Sequence, residues 1–282
     1  MQKSKAVYLT CKDHSVSGET FELIWNKHQD ILITTPQPSL EELPNYYESE
    51  DYISHTDASK RLFDKAYQWV KKRMLSKKLQ LINSFSTEEK TLLDVGAGTG
   101  DFLHFISQKN WKVSGVEPNE KARKLAKAKG INLFEDLAAV KNQYFDVITL
   151  WHVLEHVPNL EEQIQQLRKL LQPNGVLVIA VPNFESYDAQ YYKEYWAAYD
   201  VPRHLWHFSK RGITRIFKEH EIELKEVKPL NFDSFYVSLL SEKYKNKSKN
   251  PLKAFYIGLK SNMNANSAKN HSSLIYTFKK LK

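Results

Sequence analysis

The chain has 282 residues, a formal net charge of +8, 41% hydrophobic and 12% aromatic residues, and a single cysteine. That apolar content supplies a folded core and excludes a disordered chain, the lone cysteine excludes an internal disulfide framework, and no apolar run reaches the roughly 20 residues of a membrane-spanning helix. The opening Met1–Tyr8 lacks the apolar stretch of a signal peptide, so a cytoplasmic protein is expected.

Residues 1–36 alternate apolar and polar around a Ser17–Gly18 turn, which predicts a small β-hairpin. A tyrosine-rich stretch from Leu43 to Asp57 follows, so 1–57 reads as an N-terminal hairpin and cap segment and 58–282 as the main domain. Apolar spacing predicts a helix over 58–78. Strands are then expected at 91–95, 112–116, 131–134, 145–151 and 175–181, alternating with helices at 99–109, 119–129 and 159–171. Such alternation defines a doubly wound, mostly parallel α/β sheet that binds ligands at the carboxyl ends of its strands. Ser209 caps a helix reaching His220, strands follow at 222–227 and 274–278, and a helical, basic insertion occupies about 231–271. Lysine runs at 71–78, at 243–253 and at the C-terminus read as solvated faces; no RNA-binding module accompanies them, which argues against nucleic acid as a partner.

The most informative stretch is Thr91-Leu-Leu-Asp-Val-Gly-Ala-Gly-Thr-Gly-Asp101, an apolar strand running into glycines 96, 98 and 100 and then into a helix. Glycines at a strand tip let the backbone approach a ligand, and the following helix start offers free N–H groups. A dinucleotide site would carry a third glycine where Asp101 stands. Acids at 94 and 101 suit a cationic ligand better than a pyrophosphate. Glu117 ends the second strand about 20 residues past the first glycine, where a ribose diol is gripped.

Leu93–Gly100, Gly115–Asn119, Phe145–Val157 and Leu170–Asn183, in this order and spacing, resemble the class I S-adenosylmethionine-dependent methyltransferases, in the branch of the ubiquinone-biosynthesis O-methyltransferases and sugar methyltransferases. The resemblance implies a seven-stranded Rossmann-like sheet and S-adenosylmethionine as cofactor. It places Gly96, Ala97, Gly98 and Gly100 along the methionine part, Asp94 at its ammonium, Glu117 with Pro118 at the ribose, Asp136 at the adenine, and Trp151 with His152 facing the cofactor. It also makes the N-terminal segment similar to a zinc ribbon, of which Cys11 and His14 would be a relic without the second cysteine pair; no metal is expected. Helices after such a leader cap the cofactor in the family, which puts Tyr46, Tyr47, Tyr52 and His55 near the pocket.

Methyl transfer from a sulfonium is an in-line displacement, so the enzyme aligns the reactants and excludes water, and a hydroxyl acceptor needs a base. His204 and His207 in Asp200-Val-Pro-Arg-His-Leu-Trp-His-Phe are the first candidates, His152 and His156 the competitors. Tyr187, Tyr191, Tyr192, Tyr195 and Trp196 read as an aromatic wall for a small-molecule acceptor that is aromatic, quinone-like or sugar-bearing. Rival readings are an RNA methyltransferase, a catalytically silent cofactor-binding scaffold, and a peripheral enzyme whose Phe235–Leu240 and following lysines touch an anionic membrane.

Overall fold

The computed structural model describes residues 6–47, 61–248 and 250–281. Near the N-terminus, β1 (Val7–Lys12), β2 (Thr20–Trp25) and β3 (Ile31–Thr35) pair antiparallel in sequence order. The expected hairpin is the first two of these strands. Alternation sets the faces: Phe21 and Leu23 are buried while Glu22, between them, is exposed. A fourth strand arrives from far along the chain, because Trp206–Phe208 pairs antiparallel with β3.

The long helix α1 (Arg61–Asn83) leads into the main alternation of β4 (Thr91–Val95), α2 (Asp101–Ser107), β5 (Lys112–Val116), α3 (Glu120–Ala128), β6 (Phe145–Trp151), α4 (Leu160–Leu170) and β7 (Leu171–Pro182). After α5 (Tyr187–Tyr192) come β8 (Trp206–Phe208), α6 (Lys210–Glu219), β9 (Ile222–Pro229), α7 (Asp233–Asn246), α8 (Pro251–Ala268) and β10 (Ser273–Lys280). The main sheet runs β5-β4-β6-β7-β10-β9, with its first four strands parallel and β10 antiparallel to both neighbours. Its central strands are apolar on both faces because helices cover both: Val147, Ile148 and Leu150 of β6 and Leu177 to Val181 of β7 are fully buried.

Two expectations need correction. The sheet has six strands among the described residues, not seven. The stretch expected as a strand at 131–134 touches the edge through one parallel bridge, Phe134 with Val116. Immediately beyond it, the Asp136 carboxylate accepts the Ala139 N–H at 2.8 Å and starts a turn that draws the chain off the edge. The strand expected at 175–181 is longer, beginning at Leu171.

Two ion pairs, one of them fully buried, tie the N-terminal sheet to the main domain. Asp30 takes Arg215 of α6 in a fork at 2.7 and 2.9 Å, and Asp13 takes Arg203 of the loop before β8 at 2.9 Å. Ser209 caps α6, accepting the Gly212 N–H at 2.9 Å while its hydroxyl donates to the Asp30 carbonyl at 2.7 Å. The insertion between β9 and β10 is the helix pair α7 and α8, packed closely where Gly258 meets Phe235. Among the described residues, no helix is long and apolar enough to cross a membrane.

Candidate active site

The glycine turn lies at the carboxyl edge of the sheet between β4 and α2. Gly96 and Ala97 donate their N–H groups to the Val116 carbonyl at 2.8 and 3.0 Å, so the turn is folded onto the tip of β5. Gly96 has φ +71°, and a Cβ there would lie 2.3 Å from Val153 Cγ2, so only glycine fits. Gly98, at φ +53°, faces open space in which a Cβ would meet nothing within 4 Å. The Glu117 carboxylate reaches back under this space, accepting the Gly98 N–H at 2.8 Å and the Asn119 N–H at 2.9 Å. Both oxygens keep a lone pair for a further donor.

Asp94 sits beneath the turn, 3% exposed, and accepts the Thr149 hydroxyl at 2.5 Å. Burial pushes its carboxyl up to about 6, against the opposing pull of the Lys78 ammonium and the Thr149 hydrogen bond. Lys78 enters from α1 with its Nζ 4.1 Å from the Trp151 ring centroid, and burial brings it down to about 8. Trp151 Nε1 is buried without a hydrogen-bond partner, and Lys78 and Trp151 line a cavity of about 330 Å³ that Leu81, Leu230, Phe232 and Ile275 complete. This cavity is within the usual size of small-molecule pockets, roughly 300–1,000 Å³. Asp101 does not face a ligand as its place in the motif suggested: Lys71 and Lys129 clamp its carboxylate at 2.6 and 2.7 Å. Lys71 and Lys78 fall in a lysine run that reads in the sequence as a solvated face, and neither spacing nor periodicity marks Lys129.

The four candidate histidines separate by environment. His152 bonds Glu155 at 3.3 Å through Nδ1 and Asp233 at 3.0 Å through Nε2. Burial opposes its charge, but these two carboxylates outweigh it and raise the imidazole to about 10, so it is cationic at neutral pH. His207 is buried with Nε2 3.0 Å from the Thr34 hydroxyl, which itself donates to the His204 carbonyl at 2.6 Å. The ring must therefore donate to Thr34, and burial keeps it neutral. His156 Nδ1 lies 3.1 Å from the Arg203 carbonyl and 3.0 Å from the Tyr47 hydroxyl; His204 Nδ1 lies 2.9 Å from the Ala198 carbonyl. A carbonyl only accepts, so each of these rings carries a proton on Nδ1 and turns Nε2 away from that anchor. Burial, with the neighbouring His204, brings His156 down to about 4. The two rings meet edge to face with centroids 4.5 Å apart.

Other expected residues fall elsewhere. Pro118 is exposed beside Glu117, and Asp136 is exposed with its carboxylate used as a turn cap. The aromatic wall is broken: Tyr192 and Trp196 are 1% and 2% exposed in the core beneath the N-terminal sheet, with Trp196 Nε1 bonded to Asp188 at 2.8 Å, whereas Tyr187 and Tyr191 are only partly covered. Cys11 belongs to that same core and His14 stacks on Tyr244 at 4.7 Å, so the two side chains serve packing. Tyr46 bonds Glu19 at 2.6 Å; Tyr52 and His55 lie outside the described residues. Glu155 and Asp200 reach His152 and His204 from within the same loops, whereas Asp233 joins the site from a distant segment.

A glycine turn at the carboxyl edge of a doubly wound sheet, flanked by a buried aspartate and a glutamate on the neighbouring strand, defines the class I S-adenosylmethionine-dependent methyltransferase class. Residues 66–227 match the family model described as a methyltransferase domain, and the chain belongs to that family. It resembles ubiquinone biosynthesis O-methyltransferases, being 36% identical over 109 residues to that of Histophilus somni (34% of this chain, 46% of the relative) and 30% identical over 105 residues to that of Nitrosomonas europaea (34% and 45%). The chain thus spans about half the length of these curated relatives. The fold is shared with a mycolic acid cyclopropane synthase solved with S-adenosylhomocysteine (TM-score 0.58, 13% identity, 86% of this chain and 99% of that one). It is also shared with a Haemonchus contortus phosphoethanolamine N-methyltransferase solved with S-adenosylmethionine (TM-score 0.52, 15% identity, 89% and 62%).

Proposed function

We propose that the protein transfers the methyl group of S-adenosylmethionine to an oxygen of a small-molecule acceptor, in the cytoplasm. The observation that carries this reading is the glycine turn at the carboxyl edge of the sheet with Glu117 bonded to it and Asp94 buried beneath it. When bound, S-adenosylmethionine supplies an electrophilic methyl on a cationic sulfur. Glu117 has the free lone pairs to accept ribose hydroxyls, and Asp94 supplies negative charge for the donor's cationic end. Trp151 and the apolar cavity beside it exclude water. His156, which burial keeps neutral, offers an unprotonated Nε2 for the acceptor's proton; His152 is charged and His207 is engaged with Thr34, which leaves His156 for the task. An aromatic, quinone-like or sugar-bearing acceptor is consistent with the half-buried rings of Tyr187 and Tyr191. Calorimetric titration with S-adenosylmethionine and with NAD, on the wild type and on Glu117→Ala, tests the donor: binding of the first alone, weakened by the substitution, is expected, and NAD binding would overturn the reading.

A peripheral contact with an anionic membrane is supported by one face of α8. Leu252, Phe255, Tyr256, Leu259 and Met263 recur at helical spacing and are 84%, 60%, 58%, 42% and 64% exposed. Lys253 and Lys260 stand among them. The contact expected at Phe235–Leu240 moves to this helix, since Phe235 stacks on Phe255 and Val237 is buried. Flotation with vesicles of phosphatidylglycerol should exceed that with phosphatidylcholine, and Leu252→Ser with Met263→Ser should abolish the excess.

A further inference from the structure

The pair His156 and His204 has a third neighbour whose chemistry methyl transfer does not use. One ligand atom each of Glu155, His156 and His204 lies within 4.8 Å of the other two, the one such group among the described residues. Glu155 is 1% exposed; its Oε1 is taken by His152, and its Oε2 has no hydrogen-bond partner among the described residues. A buried carboxylate oxygen left unpartnered costs free energy unless a cation or donor meets it.

The histidines are prepared for a cation in the same way. Each carries its Nδ1 proton toward a backbone carbonyl, of Arg203 and of Ala198, which fixes the orientation of both rings and leaves Nε2 as the nitrogen a cation would meet. Histidines that bind metals almost always anchor their second nitrogen in this manner. The two chain segments are already joined, since Leu205 donates its N–H to the Glu155 carbonyl at 2.8 Å, so little rearrangement is needed. Asp200 Oδ2, 3.9 Å from His204 Nε2, adds a second carboxylate at the rim, and the half-buried His156 leaves a way in.

We propose that Glu155, His156 and His204 form a binding site for a divalent transition metal. Two imidazole nitrogens and a carboxylate oxygen select zinc over magnesium or calcium, which prefer oxygen alone, and three protein ligands leave a position open. This departs from the sequence expectation of no metal, because the third ligand comes from a loop nearly 50 residues away from the other two. The site needs no methyl donor, so it stands or falls independently of the reading above; the histidine base described there belongs to the metal-free chain.

The test uses the 282-residue chain, stripped with a chelator and titrated with zinc in competition with a chromophoric chelator. One zinc per chain is expected. Glu155→Gln, which keeps the side chain's shape, and His204→Ala should each weaken it by more than about 100-fold, beyond what losing an outer-shell partner costs, while the exposed His28→Ala changes nothing. Cobalt in the wild-type chain should give a visible spectrum without a thiolate charge-transfer band. Absence of zinc uptake by the wild type, uptake that Glu155→Gln leaves unchanged, or a thiolate band pointing to Cys11 would overturn the proposal. Zinc binding without S-adenosylmethionine binding would retire the methyl-transfer reading and leave the metal site intact.

Discussion

Asp13 is the sharpest place to test how the N-terminal sheet holds the histidine loop. Asp13 and Arg203 are 1% and 2% exposed, and Arg203 Nη2 bonds Asp13 Oδ1 at 2.9 Å while also reaching Asp200 at 2.7 Å. The N–H groups of Ser15 and Ser17 add two bonds to the Asp13 carboxylate, each at 2.9 Å. Burial alone would raise this carboxyl, but Arg203 and the two amides outweigh it and hold it at about 2 against an ordinary 3.8. A difference of that size corresponds to roughly 2 kcal/mol at about 1.4 kcal/mol per unit. Because the folded pKa is depressed, this stabilisation is fully present above the unfolded value near 4 and is lost as pH falls toward 2. Asp13→Asn removes the charge and turns an amide toward the guanidinium. It should cost about 2–4 kcal/mol at neutral pH, less than a fully orphaned arginine because Asp200 remains. Urea unfolding of wild type and variant at about pH 7, 5 and 3 measures the gap. The gap should hold from 7 to 5 and shrink by 3; a gap that does not change with pH would refute the assignment of Asp13 as the ionised anchor of this loop.

Lys78 places a positive charge over Trp151 and near Asp94, where it opposes a cationic methyl donor. Lys78→Met should tighten S-adenosylmethionine binding by about tenfold, ~1.4 kcal/mol, at pH 7, with the difference from wild type closing above pH 8 as the lysine loses its proton; calorimetry showing weaker binding by the variant would sink the idea. Gly96→Ala drives a Cβ to 2.3 Å from Val153 at φ +71° and should cost about 2–4 kcal/mol in thermal unfolding. Gly130→Ala, at φ +80° but in open space, should cost only about 1 kcal/mol, and equal losses at the two positions would show that backbone strain alone, not the Val153 contact, decides.

What the chain order alone reveals here is the part built from local signals. The central strands announce themselves as apolar runs, and the turn at 96–100 by three glycines at positive φ, of which Gly96 meets Val153 so closely that no other residue fits. Glu117 is legible because it ends the strand that this turn folds onto. The edge at 131–134 was misread for a local reason as well: four residues of strand-like composition lose to the capping turn that Asp136 starts immediately after them.

The histidines were not separable in sequence because nothing near them in the chain distinguishes them. His207 is taken out of the chemistry by Thr34, 173 positions away, and His152 by Asp233, which an insertion after β9 delivers. Tyr47 and the Arg203 carbonyl together settle the tautomer of His156. The contacts of His207 and His156 depend on the small sheet closing through β3 and β8, and that closure rests on Asp30 with Arg215 and Asp13 with Arg203. The N-terminal strands therefore do more than decorate the methyltransferase fold. By holding the loop that carries His204 against the loop that carries Glu155 and His156, they set which nitrogen lone pairs face the site. Loosening the Asp13 anchor should accordingly disturb zinc uptake before it disturbs binding at the glycine turn, because the turn is braced by β4, β5 and Val153, with no contact from β1 to β3 in its hydrogen bonds.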